Sequence, residues 1–173
     1  KGVHQPDSST INKLAEFFNV STDYLLGRSD IRDLPKGAFQ LNNFIKIPVV
    51  RTIRAGEPIL TNDNIVGYEY IPPTDFPSDE LFGLKVIGDS MDLSHIVNGC
   101  TVIVHKQDYI DNGDIAVVIV NDEEATVKKF YNSDTTVTLM PHSTNPDHQP
   151  RIIDITKTEV KIIGKVIKIV LEP

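Results

Sequence analysis

Ile115-Ala116-Val117-Val118-Ile119-Val120, followed after Asn121-Asp122-Glu123-Glu124 by Ala125-Thr126-Val127-Lys128-Lys129-Phe130-Tyr131, is the stretch that decides the fold. β-branched and aromatic side chains lose rotamer freedom in a helix but pack well on a pleated surface, so both runs read as strands. The acidic run between them reads as a hairpin turn. Outward from this pair, similar compositions recur at residues 45–50, 84–87, 101–104, 135–140 and 160–171, bounded by Asn-Gly, Gly-Asp and Ser-Asp turns. No helical period of comparable length interrupts them. Residues 44–173 are therefore predicted to form a compact, mainly β, mostly antiparallel domain.

The N-terminal part has a different period. Pro6-Asp7-Ser8-Ser9 supplies capping residues ahead of Ile11, Leu14, Ala15 and Phe18, which recur at i, i+3, i+4 and i+7 and share one helical face. Ser21 is placed to cap a second helix over residues 22–26, with Gly27 as its left-handed stop. Two short helices cannot bury a core alone, so the apolar face of Ile11, Leu14 and Phe18 is expected to need further partners. Residues 28–43 carry no sustained period, mix charges and contain Pro35 and Gly37, as a linker does. The run Gln5 to Gly27 resembles the last two helices of the phage-repressor type of helix-turn-helix domain. That resemblance implies a truncated all-α fragment over 1–28, with its recognition helix upstream, a linker over 29–43 and the β-domain over 44–173.

Charge separates the two parts. Residues 1–40 carry five Lys+Arg and five Asp+Glu, whereas residues 41–173 carry twelve and nineteen, so the net charge of -7 lies wholly in the second part. Phosphate would be repelled by that acidic body, and any nucleic-acid contact is expected at or beyond the N-terminus. The single cysteine, Cys100, excludes an intramolecular disulfide, and its place at the head of a strand makes it a buried small hydrophobe rather than a nucleophile. No apolar run approaches the roughly 20 residues of a membrane helix, and no charged-then-apolar leader opens the sequence. Both point to a cytoplasmic protein.

Three short motifs carry the chemistry. Gly88-Asp89-Ser90-Met91 follows the strand predicted at 84–87, which sets the Ser90 hydroxyl at a strand end. Lys128 lies inside the strand predicted at 125–131, and Ala55-Gly56 is a small-residue pair that could enter a tight cleft. A serine hydroxyl needs a base within hydrogen-bond reach, and lysine can serve once burial keeps it neutral. Two-residue alternation cannot choose between Lys128 and Lys129, because both faces of that strand hold apolar residues. His4, His95, His105, His142 and His148 show no metal-ligand spacing and read as surface polar groups, and no metal or cofactor is expected.

These motifs fall 35 residues (Ala55 to Ser90) and 38 residues (Ser90 to Lys128) apart. Order and spacing resemble the LexA-type family of self-cleaving repressors, related to UmuD-like proteins and, more distantly, to bacterial signal peptidases. The likeness extends over residues 48–170 through Arg54-Ala55-Gly56-Glu57-Pro58, Asn112-Gly113-Asp114, Leu139-Met140-Pro141 and Asn145-Pro146. It departs at Asn98-Gly99-Cys100, where the family often has Asp-Gly-Asp. The resemblance implies Ser90 as nucleophile, Lys128 as base, Ala55-Gly56 as the bond cut, and backbone N–H groups of Ser90 and Met91 as the oxyanion site. It further implies a dimeric repressor of the SOS or prophage type that binds operator DNA and is triggered by a RecA filament. A UmuD-like accessory factor activated by self-cleavage, or a non-cleaving repressor under an antirepressor, are the alternatives.

Overall fold

The computed structural model describes residues 6–18, 20–30, 32, 44–121 and 123–171. It divides into two units, Lys1–Asn43 and Phe44–Pro173. His4, Gln5, Asn19, Asp122 and most of the linker expected over 29–43 lie outside the described residues.

In the first unit, helix α1 (Ser8–Phe18) begins where the Asp7 carboxylate accepts the Thr10 N–H at 2.7 Å. This is an N-cap satisfying a donor that the helix leaves orphaned. Helix α2 (Thr22–Leu25) is capped by Ser21, whose Oγ accepts from Tyr24 N, and Gly27 at φ 68° closes it. Ala15 and Val20 are buried, while Leu14 is 40% and Phe18 57% exposed. The predicted stripe is thus a helical face on which Ala15 is buried, Ile11 half-buried and the two larger members exposed.

The second unit carries one sheet of nine strands: β1 (Ile45–Val50), β2 (Ile65–Ile71), β3 (Leu81–Lys85), β4 (Thr101–Lys106), β5 (Ile115–Val120), β6 (Thr126–Ser133), β7 (Thr136–Met140), β8 (Arg151–Asp154) and β9 (Val160–Val170). Their order is β2-β1-β3-β4-β9-β5-β6-β7-β8. Every pairing is antiparallel except β1 with β3, which run parallel through Val49↔Gly83 and Val50↔Leu84. The hairpin read between 115–120 and 125–131 forms, with Ala116 opposite Lys128 and Val117 opposite Val127.

Two strands, β2 and β8, were not among those predicted, and β3 is displaced. It spans Leu81–Lys85 rather than 84–87, because Gly88 adopts φ 96° and Ile87 stands 84% exposed, which ends the extended run. Val86 leaves the strand by pairing with the turn before β4, its N–H donating to Cys100 O and its carbonyl accepting from Gly99 N.

The main core lies under this part of the sheet. Phe82, Leu84, Met91, Ile96, Cys100, Val102, Val104, Val117 and Val127 form one buried cluster, so the residues flanking Ser90 and Lys128 belong to the same packed body. Cys100 is 2% exposed, as expected of a small core hydrophobe. Gly164 marks the crossing of β9 with β4 and β5, where both pairings shift register nearby. A Cβ there would overlap the His105 carbonyl and stand 2.8 Å from Val104 Cγ1, so the backbones approach as only glycine allows.

Candidate active site

Ser90 sits where a fully buried strand gives way to a tight polar turn. The Gly88 N–H donates to Asn98 Oδ1 at 3.0 Å, and Met91, 2% exposed, pins the far side of the turn into the core. The buried Met91 anchors the backbone on one flank while the serine stays half-exposed. Lys128 reaches the same place from the middle of β6. Val127 faces the core, so the period-2 alternation of a strand turns Lys128 the other way.

Lys128 Nζ lies 2.7 Å from Ser90 Oγ, 3.1 Å from Thr126 Oγ1 and 3.0 Å from Val127 O. Burial disfavours its charge and holds the ammonium below its ordinary value of 10.5. The geometry matters for both protonation states. As an ammonium, Nζ has three N–H donors for three oxygens. As a neutral amine it keeps two N–H bonds, to Thr126 and Val127, and its lone pair is left facing the serine hydroxyl. Lys129, which strand period alone does not separate from Lys128, is opposite Ile115 and Met140 in the sheet, and it is Lys128 that meets Ser90.

Ser90 and Lys128 line a cleft of about 450 Å³, together with Arg51, Thr52, Ile53 and Arg54. These four residues lead directly into Ala55-Gly56. Ile53 O accepts from Ala125 N at 2.9 Å, and Arg54 forms an antiparallel bridge with Glu124. The chain thus enters the cleft as an extra strand beside the start of β6, the way an extended peptide docks on a sheet edge. Ala55 and Gly56 form the turn that follows: Ala55 packs against the main core cluster, and Gly56 is exposed at φ 75°.

A set of residues beyond the predicted ones supports both turns. Pro141 to His148 wraps the Ser90 turn. His142 N donates to Ser90 O at 2.9 Å, Ser143 Oγ to Asp89 O at 2.8 Å, and Thr144 N to Asp92 Oδ1 at 2.8 Å. Asp89 itself is bonded by His148 at 2.6 Å and Asn145 at 3.3 Å, which hold its carboxyl below the usual carboxylate range, His148 contributing most. His142 and His148 are therefore not the plain surface groups their loop suggested. His142 Nδ1 also meets Ser94 Oγ at 2.7 Å, and His105 stacks on Phe76 and pairs with Glu80. Asn64 supports the other turn: its Nδ2 donates to Thr52 O and Ile59 O, and its Oδ1 accepts from Thr52 N. The Asn145-Pro146 motif and the Ser/Thr-rich context of His142 were the available signal for the first set, and nothing in the sequence pointed to Asn64.

Among the described residues no group of three His, Cys, Asp or Glu is placed to hold a metal, and no helix is long and apolar enough to cross a membrane.

A mainly β domain thus carries a cleft in which Ser90 and Lys128 meet, beside a segment of its own chain. A family model described as Peptidase S24-like matches residues 48–167, and the chain belongs to that family. Its relatives include the LexA repressor of Bacillus subtilis, 40% identical over 124 residues, covering 71% of this chain and 58% of that protein. The LexA repressor of Lactobacillus acidophilus is 44% identical over 124 residues, 70% of this chain and 56% of the other. That of Bacillus pumilus is 37% identical over 136 residues, 78% and 61% respectively. The chain spans somewhat over half the length of these relatives.

Proposed function

We propose that this chain is a self-cleaving repressor of the LexA type, in which Ser90 and Lys128 cut the Ala55-Gly56 bond. The observation that carries the reading is the 2.7 Å approach of a charge-disfavoured Lys128 amine to Ser90 Oγ, in a cleft lined by the residues just before that bond.

The steps follow from the atoms present. Neutral Lys128 Nζ takes the Ser90 Oγ–H proton as Oγ adds to the Ala55 carbonyl carbon. The tetrahedral oxyanion accepts hydrogen bonds from the Ser90 and Met91 N–H groups, whose turn is braced through His142. Collapse breaks the C–N bond, and Lys128 returns its proton to the departing Gly56 amine. Water then hydrolyses the Ser90 ester, with Lys128 again as base.

Cutting here breaks the covalent link between the helical part, which keeps β1, and strands β2 to β9 of the β-domain. If the β-domain dimerises the protein, each helix-turn-helix domain on operator DNA is tethered to a second, and the cut removes that gain in effective concentration. The relatives are LexA repressors, which supports this reading. A RecA filament on single-stranded DNA is the proposed trigger, acting by favouring the docked loop, and the cytoplasm is the proposed setting.

Mass spectrometry of the purified chain after incubation between pH 7 and 10, with and without RecA filaments, tests the proposal. Fragments of 55 and 118 residues, absent from Ser90→Ala, are expected. A chain that stays intact throughout overturns it.

A further inference from the structure

Glu124 is not one of the groups the cleavage chemistry uses, yet it lines the cleft and touches the segment to be cut. Arg54 Nε and Nη2 both donate to Glu124 Oε1, at 3.2 and 3.0 Å, and the two residues are bridged partners across an antiparallel pair. The adjacent backbone bond, Ala125 N to Ile53 O, fixes the register in which they meet. Glu123, the neighbouring carboxylate, is engaged by Arg151 at 3.0 Å on β8, which leaves Glu124 as the one facing the docked segment. Arg54 directly precedes Ala55 and is the second residue before the bond, so its place in the register is fixed relative to the bond.

We propose that Glu124 is a specificity-determining residue that reads Arg54, favouring a basic side chain two positions before the cut and biasing the loop toward its docked state. This rests on the self-cleavage reading. A cross-strand pair of opposite charge selects register, and a guanidinium fits better than an ammonium because its planar fork presents two N–H groups to one carboxylate. Both side chains are more than half exposed, 56% and 62%, so the attraction is modest and screened by salt. A weak, reversible latch suits a loop that must rest undocked part of the time.

The experiment measures the first-order cleavage rate of the full chain at pH 9 for wild type, Arg54→Glu, Glu124→Arg, the double swap and Glu124→Gln. Each charge reversal is expected to slow cleavage about tenfold and Glu124→Gln about threefold, from the range for exposed pairs and for like charges placed opposite. The double swap restores the rate to within about twofold of wild type, a rescue that a merely structural role for either residue would not produce. Raising NaCl from about 0.05 to 1 M, where the screening length falls to roughly 3 Å, slows wild type but not Glu124→Gln. Thermal unfolding in a Ser90→Ala background identifies any variant that fails to fold, and the glutamine variant with its salt response decides the matter without the reversals. A double swap no faster than the slower single reversal, or equal salt slopes in wild type and Glu124→Gln, overturns the latch while leaving self-cleavage standing. A wild-type chain inert at every pH overturns the self-cleavage reading and the latch with it.

Discussion

The Ser90 turn and the Ala55-Gly56 turn are both polar excursions from one sheet, but they are held in different ways. The loop 141–148 binds the first through backbone and side-chain bonds to Ser90, Asp89 and Asp92, with Met91 buried beneath. The second is held by the backbone bond at Ile53, the turn bond from Glu57 N to Arg54 O at 3.5 Å, the exposed Arg54–Glu124 pair, the Asn64 staple and the packing of Ala55 on the core, while Gly56 has nothing within 4 Å of where a side chain would be. On the proposed reading, the nucleophile side is preorganised and the substrate side is adjustable. That division places the chemistry in the rigid frame and leaves docking as the step that a partner can regulate.

Removing the fixed side should have the largest effect. Ser90→Ala is expected to lower the cleavage rate by at least about a thousandfold, since a lost nucleophile is not replaced by its neighbours. Lys128→Met should cost roughly a hundred- to ten-thousandfold, the range of a positioned general base. The same change should raise the melting temperature at pH 7. With its folded pKa lowered, Lys128 binds protons more readily in the unfolded chain, so stability rises with pH up to the ordinary value of 10.5. The gain from Lys128→Met is therefore largest at neutral pH and gone above about 10.5, as melting curves in a Ser90→Ala background would show.

Changes on the adjustable side should be smaller. Gly56→Val places a β-branched side chain at φ 75°, and the left-handed penalty of about 1–2 kcal/mol should slow cleavage roughly five- to thirtyfold through docking. His148→Ala touches the clamp at its exposed end and should cost only about threefold, because exposed pairs contribute little. If His148→Ala were instead as severe as Lys128→Met in single-turnover assays, the frame would not be rigid and the contrast between the two turns would fail.

The sheet was legible where the sequence is emphatic. Runs such as 115–120 and 125–131 are apolar enough that local preference and tertiary burial agree. β2 was missed because Gly67 and the exposed Val66, Tyr68 and Tyr70 dilute its pattern, and β8 because Arg151–Asp154 is short and follows Pro150. Pairing of β1 with β3 in parallel is a long-range fact that no local pattern carries. At the site, motif order placed Ser90, Lys128 and Ala55-Gly56 on one page, but period alone could not separate Lys128 from Lys129. The two lysines differ only in which side of β6 faces Ser90; both faces carry a buried residue, Val127 and Phe130, and it is the contact of Lys128 with Ser90 that separates them. The clamp around Asp89 spans 59 residues to His148, beyond the reach of any local signal.

The pH dependence of the cleavage rate tests the central claim most directly. Asp89 is held below 3.8, chiefly by its bond from His148, and stays ionised throughout pH 7 to 10 while Lys128 titrates. A charged amine cannot take the serine proton. The rate of fragment formation, independent of protein concentration, should therefore rise about tenfold per pH unit and level off before 10.5. A flat or falling profile over that range, or cleavage that persists in Lys128→Ala, would contradict the assignment of Ser90 and Lys128.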